Sequence, residues 1–158
     1  MYRLAKQIFP IIFILLVNCG FKVLDQSYLN NFKINEINTF GDKKINFLVK
    51  NKITKLFNSD SPRELLDINL NTKKERSIKE KNKKNKITKY KIEVVANIKI
   101  IFLNKNIIKD FIIIEEGYYN VSDNNNTNRE NQKTLEMNLS EKISEKIVKN
   151  IFNAVNDN

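Results

Sequence analysis

Few side chains in this sequence could carry out chemistry, and they are poorly placed for catalysis. The 158 residues include no His and a single Cys, Cys19. Without histidine the commonest general base and metal ligand is missing, and a lone cysteine closes no intramolecular disulfide. The adjacent carboxylates Glu115 and Glu116 fall in a strand-like stretch, so they point to opposite faces and form no catalytic pair. There is no nucleophile beside a base, no Gly-rich phosphate loop and no metal-ligand spacing, so neither an enzyme nor a bound cofactor or metal is expected. What remains is positive charge. The net charge is +10, and the densest segment, Lys73 to Lys86, could meet anionic groups. A solvated, mobile hairpin connection is the bland reading of that segment, because it lacks apolar periodicity. Much of the charge also fits a drift toward A/T-rich codons, since the chain is rich in Lys, Asn and Ile and has no Trp. A nucleic-acid partner would need exposed aromatic platforms, and Tyr118 and Tyr119 are too few.

The cysteine gains meaning from what precedes it. Arg3 and Lys6 form a positive start, and Ile8 to Val17 is apolar throughout. Such a run suits the central region of a signal peptide and is short of the roughly 20 residues needed to span a bilayer. Leu16-Val17-Asn18-Cys19 then resembles the lipobox of bacterial lipoproteins, with Asn18 where a Gly, Ala or Ser is usual. The resemblance implies that residues 1–18 are a signal peptide cleaved before Cys19. It also implies that Cys19 is the lipidation site, its thiol carrying diacylglycerol and its new amino terminus an acyl chain. Each buried CH₂ contributes about 0.8 kcal/mol, so several chains anchor firmly. Gly20 follows the cysteine, and the absence of Asp there is compatible with the outer membrane.

The elements beyond the anchor read as α+β. Residues 19–32 are expected as a lipidated tether and 33–158 as a single domain. Lys33–Thr39 alternates as a first strand. Gly41-Asp42 breaks it, and the Asp can cap a helix. Ile45, Leu48, Val49, Ile53, Leu56 and Phe57 then share one helical face, ending near Asn58. A second strand starts near Arg63 with Leu66, Ile68, Leu70 and Thr72 on one side. A third strand has Tyr90, Ile92, Val94, Ala96, Ile98, Ile100 and Phe102 on one face. Asn104-Lys105-Asn106 is a tight turn with positive φ expected at an Asn. The fourth strand, Ile107 to about Val121, is apolar on both faces. It is expected either as a central strand or with one face covered by a partner. Ser122 to Gln132 reads as a polar loop. Leu139, Ile143, Ile147 and Ile151 recur every fourth residue and predict a C-terminal helix. The order β-α-β-β-β-α is most simply a two-layer sandwich: two helices packed on one face of a four-stranded mixed sheet, the first strand joined by a crossover.

Cys19-Gly20-Phe21 after a lipobox, the Thr88-Lys89-Tyr90 start of a long strand and this order of elements together resemble the LPS-assembly lipoprotein family LptE. Val23-Leu24-Asp25 stands where members often have a Pro-Leu-Tyr-like stretch, and Lys89-Tyr90 where they often have Arg-Tyr. The resemblance implies no catalysis. It implies a lipid-anchored protein on the periplasmic side of the outer membrane, a plug and assembly partner of the LptD-like outer-membrane β-barrel, and binding of lipopolysaccharide. Arg pairs bidentately with phosphate and Lys acts as a point charge. The LPS-binding candidates are therefore Lys73, Lys74, Arg76, Lys83, Lys84, Lys86 and Lys89. The alternative is a periplasm-facing lipoprotein adaptor of another envelope complex.

Overall fold

The computed structural model describes residues 29–156, in which β1 (Phe32–Gly41), α1 (Lys43–Leu56), β2 (Glu64–Lys81), β3 (Ile87–Phe102), β4 (Ile107–Asn120) and α2 (Asn125–Asn156) follow in turn. The strands form one sheet in the order β1-β2-β3-β4. β1 runs parallel to β2, as a helix crossover requires. β2, β3 and β4 form an antiparallel meander. This is the expected α+β fold, β-α-β-β-β-α with both helices on one face of a mixed sheet.

Alternation fixes which face of the sheet is covered. Leu66, Ile68 and Leu70 of β2 and Ile92, Val94, Ala96, Ile98, Ile100 and Phe102 of β3 are buried, while their neighbours of opposite parity are not. Ile45, Val49 and Ile53 of α1 and Leu139, Ile143, Ile147 and Ile151 of α2 close the other side of the same core. Each such side chain contributes about 1.5–3 kcal/mol on burial. Phe32 and Phe57 meet edge to face, ring centroids 6.2 Å apart, and join the start of β1 to the end of α1.

The corner between β1 and α1 is set by three residues. Gly41 has φ +88°, and a Cβ on it would lie 1.9 Å from the Thr72 carbonyl oxygen, so only glycine fits. Asp42 then caps α1, its Oδ1 accepting from the backbone N–H of Lys44 and Ile45 at 3.1 and 2.9 Å. Asn46 is buried, with its amide donating to the Phe40 carbonyl (2.7 Å) and accepting from the Thr72 hydroxyl (2.8 Å). At the opposite corner, the turn between β3 and β4 has Asn106 at φ 52°, the predicted positive angle.

Several expectations need correction. Lys73–Lys86 is not a loop: β2 continues to Lys81 and β3 starts at Ile87, leaving a short turn between them. Backbone pairing with β3 overrides the missing apolar alternation there. Ser122–Gln132 is mostly helix, because α2 begins at Asn125. Asn124 caps it, accepting from the Asn126 N–H at 2.8 Å, so asparagines that read as loop are here a helix start. β4 is an edge strand, not a central one. Leu29 and Phe32, expected in the tether, are buried in the core. Cys19, the signal peptide and the rest of the tether lie outside the described residues.

Candidate functional site

The lysine-rich segment becomes the far half of the β2–β3 hairpin. At about 3.3 Å per residue, β2 carries the chain roughly 55 Å from Glu64 to Lys81. The described part of the chain starts at the near end of that strand, where the Asn31 carbonyl accepts from the N–H of Arg63 at 2.8 Å. The hairpin tip therefore lies at the opposite pole from Leu29 to Asn31. Asn82 organises the tip. Its carbonyl oxygen Oδ1 accepts from the N–H of Lys84 and Lys86 at 2.9 and 3.0 Å, and Asn85 takes φ 64° to close the turn.

The seven basic candidates do not converge on one site. Lys74 and Arg76 lie on the helix-covered face. The Lys74 ammonium is 3.0 Å from Glu136 and 3.2 Å from Asp42. Arg76 stacks over the Tyr90 ring at 4.6 Å and reaches Gln132 at 3.3 Å. Lys73 lies on the opposite face, where it pairs with Glu75 at 2.5 Å. Lys89 pairs with Glu80 at 2.9 Å, and Lys86 pairs with Asp123. Lys83 and Lys84 stand exposed at the tip with no ion pair among the described residues. Of the seven, these two are the charges most open to an anionic ligand.

Lys74 belongs to a structural network centred on Glu136 of α2, a carboxylate with no side-chain exposure. Gln132 donates to it at 2.9 Å, and the Lys44 ammonium lies 2.5 Å from its other oxygen. Burial disfavours its ionised form, but the contacts from Gln132, Lys44 and Lys74 outweigh that and hold its carboxyl below the ordinary value. For Lys74, burial works against the charge, while Glu136 and Asp42 overcome it and raise the ammonium. Sequence reading missed this network because Lys74 and Glu136 are far apart in the chain and neither stands in a motif.

The uncovered face of the sheet has a charged cluster at one end and exposed apolar side chains set among Asn71, Asn97, Lys99 and Asp110 over the rest. Toward the hairpin tip, Lys91 of β3 contacts Glu116 and lies 2.8 Å from Glu93. Those two carboxylates raise the Lys91 ammonium, and Lys91 in turn holds Glu116 below its usual range. From the middle of the sheet toward the β3–β4 turn, Ile108, Ile112 and Ile114 of β4 are 52%, 66% and 58% exposed, and Phe40 of β1 is 62% exposed. Phe40, Asn71, Asn97 and Ile112 form one row across all four strands. Of the two readings of β4, the covering partner is the one this edge position leaves open. Glu115 and Glu116 do face opposite ways: Glu115 meets Lys146 of α2 at 2.5 Å, and Glu116 meets Lys91 on the other face. Among the described residues, no group of three or more Cys, Asp or Glu is placed to hold a metal, and no helix is long and apolar enough to cross a membrane.

No family model matches the sequence, and no curated protein matches it significantly. Solved structures do match. A protein of Caulobacter crescentus CB15 assigned as a lipoprotein superposes with a TM-score of 0.56 at 11% identity, covering 77% of this chain and 88% of that one. Rare lipoprotein B from Shewanella oneidensis superposes with a TM-score of 0.51 at 14% identity, covering 76% of this chain and 98% of that one. At such identities the likeness is one of fold: the chain has the two-layer α+β architecture of these lipoprotein structures.

Proposed function

We propose that this chain is a lipoprotein acylated at Cys19 and held at the periplasmic side of the outer membrane. There it acts as plug and assembly partner of an LPS-translocating β-barrel and has no catalytic activity. The observation that carries the reading is polarity along the long axis of the fold. Leu29 to Asn31 lie at one pole, beside Arg63, and Lys83 and Lys84 are displayed at the other, roughly 55 Å away along β2. That reach exceeds the ~30 Å hydrocarbon thickness of a bilayer. A domain rooted by lipid in the near leaflet and enclosed in a barrel would thus present its free lysines toward the far leaflet. A barrel lumen is polar, and the charged ladder of Lys91, Glu93 and Glu116 suits it. The lipobox-like stretch and the fold shared with rare lipoprotein B support the same reading.

The test is to purify the full chain, tagged at its C-terminus, from membranes in detergent, and to identify its partner and N-terminal peptide by mass spectrometry. The expected result is acylated Cys19 with a stoichiometric LptD-like barrel, together with depleted surface LPS in a strain lacking the protein. Acylated Cys19 without a barrel would refute the plug and favour an adaptor of another envelope complex. An unmodified N-terminus would refute the lipoprotein itself.

A further inference from the structure

Asn-x-Ser/Thr, the acceptor triplet for N-linked glycans, occurs at Asn120, Asn125 and Asn138. The hydroxyl two residues after the Asn positions its amide in the transferase. Bacterial transferases also select a carboxylate two residues before it. Tyr118 stands at that place for Asn120, Asp123 for Asn125 and Glu136 for Asn138. Folding separates the last two. Around Asn138, Glu136 and Ser140 are 0% and 2% exposed, and the Ser140 hydroxyl donates to the Glu136 carbonyl at 2.7 Å. The Glu136 carboxylate is engaged by Gln132, Lys44 and Lys74 besides. Around Asn125, every residue from Asp123 to Thr127 is exposed.

The residues flanking that segment display it. The Asn128 side chain accepts from the Ser122 N–H at 2.7 Å and donates to the Ser122 carbonyl at 2.8 Å, a two-way clamp that closes the backbone on either side of Asp123–Thr127. Inside the clamp, Asp123 is 89% exposed and pairs with Lys86, an exposed ion pair that costs little to exchange. Asn125 to Thr127 form the first turn of α2. The leading N–H groups of a helix have no intrahelical partner, and its ends fray. A transferase takes its acceptor in extended form, and peeling this turn uncovers no buried side chain from Asp123 to Thr127.

We propose that Asn125 is the acceptor of an N-linked glycan, transferred outside the inner membrane from a polyprenyl-diphosphate carrier. Asn125 Nδ2 bonds to the anomeric carbon as the bond from that carbon to the diphosphate oxygen breaks. The lipid diphosphate leaves with the electron pair, and the amide yields one proton to a base of the transferase. The glycan stands at the hairpin pole, because the Val121 N–H donates to the Thr88 carbonyl at 2.9 Å and Asp123 pairs with Lys86. The proposal rests on export of the chain, which the lipoprotein reading supplies, and not on the barrel partner.

The purified full chain, incubated with a bacterial oligosaccharyltransferase and its polyprenyl-diphosphate-linked glycan, is expected to gain a single glycan, mapped to Asn125 by peptide fragmentation. Asn125→Gln, Thr127→Ala and Asp123→Ala should each lose it, and Thr127→Ser should keep it. No transfer, transfer to Asn120 or Asn138 instead, or transfer that survives Asp123→Ala would overturn the proposal. This readout needs no export, so it decides the acceptor whether or not Cys19 is acylated. In membranes of the native host the Asn125 peptide should carry a glycan, and unmodified Asn125 on chains with acylated Cys19 would overturn the proposal while leaving the lipoprotein reading intact.

Discussion

Replacing Glu136 by Gln tests whether the buried network holds α2 to the sheet. The substitution keeps the volume and the potential contact with Gln132 but removes the charge between Lys44 and Lys74. Breaking a fully buried ion pair costs about 3–5 kcal/mol. Here that range is an upper limit. Lys44 is half exposed and can return to water, so its pair counts little. Lys74 is only 21% exposed, yet it keeps Asp42 at 3.2 Å. One charge-assisted contact to a buried group then dominates, and about 2 kcal/mol is expected. For a domain of this size that is a fall in Tm of roughly 6–10 °C.

The pH dependence separates this account from simple loss of packing. The Glu136 carboxyl is held below its ordinary value in the folded chain. In the acid range the unfolded chain therefore binds more protons than the folded one, and stability rises with pH. The contribution of Glu136 is complete above the unfolded carboxylate range and is lost as pH falls through its lowered folded value. Thermal melts of wild type and Glu136→Gln followed by circular dichroism from pH 7 to pH 3 should show a gap at pH 7 that narrows below about pH 4.5. A gap that stays constant to pH 3, or no gap at pH 7, would refute the reasoning.

Other substitutions test the corner and the tip. Asp42→Ala removes the cap of α1 and a second partner of Lys74, and should cost about 1–2 kcal/mol by denaturant titration. The two glycines near the elements' contacts should differ. Gly41→Ala forces a Cβ against the Thr72 carbonyl at positive φ and should cost more than about 3 kcal/mol. Gly117→Ala crowds the Leu135 Cδ1 methyl at 2.5 Å, the far end of a side chain that can change rotamer, and should cost about 1 kcal/mol in the same titration. The double variant Lys83→Glu, Lys84→Glu should leave the melting curve within about 0.5 kcal/mol of wild type while weakening binding to immobilised LPS. Unchanged binding would remove the tip from the proposed site.

How much of this was legible depended on whether information lay within one segment or between two. The inward set Leu66, Ile68, Leu70 and Thr72 carries its own alternation, and the stripe from Leu139 to Ile151 its own period, so both were readable. So were the cap at Asp42 and the turn at Asn106, because a short polar side chain satisfies the backbone locally in each. The far half of β2 was not. Its inward positions continue as Lys74 and Arg76, which look like solvated charges until Glu136, Gln132 and Tyr119 arrive from elsewhere in the fold. A charged strand whose complement lies on another element has no apolar period to reveal it.

The same distinction bears on which lysines can act. Lys74 faces inward and is engaged by carboxylates, so withdrawing it to bind a phosphate would leave Glu136 buried with one fewer counter-charge. A ligand would have to offset that loss before gaining anything. Arg76 is tied to a ring and an amide, a weaker commitment than an ion pair. Lys73, Lys86 and Lys89 have exposed partners that cost little to exchange. Lys83 and Lys84 have nothing to give up. Affinity for an anion should therefore fall off from the tip toward the middle of the sheet. That gradient comes from the partners of the lysines rather than from their number. Neutralising Lys74 should lower stability more than binding, and neutralising Lys83 and Lys84 should do the reverse.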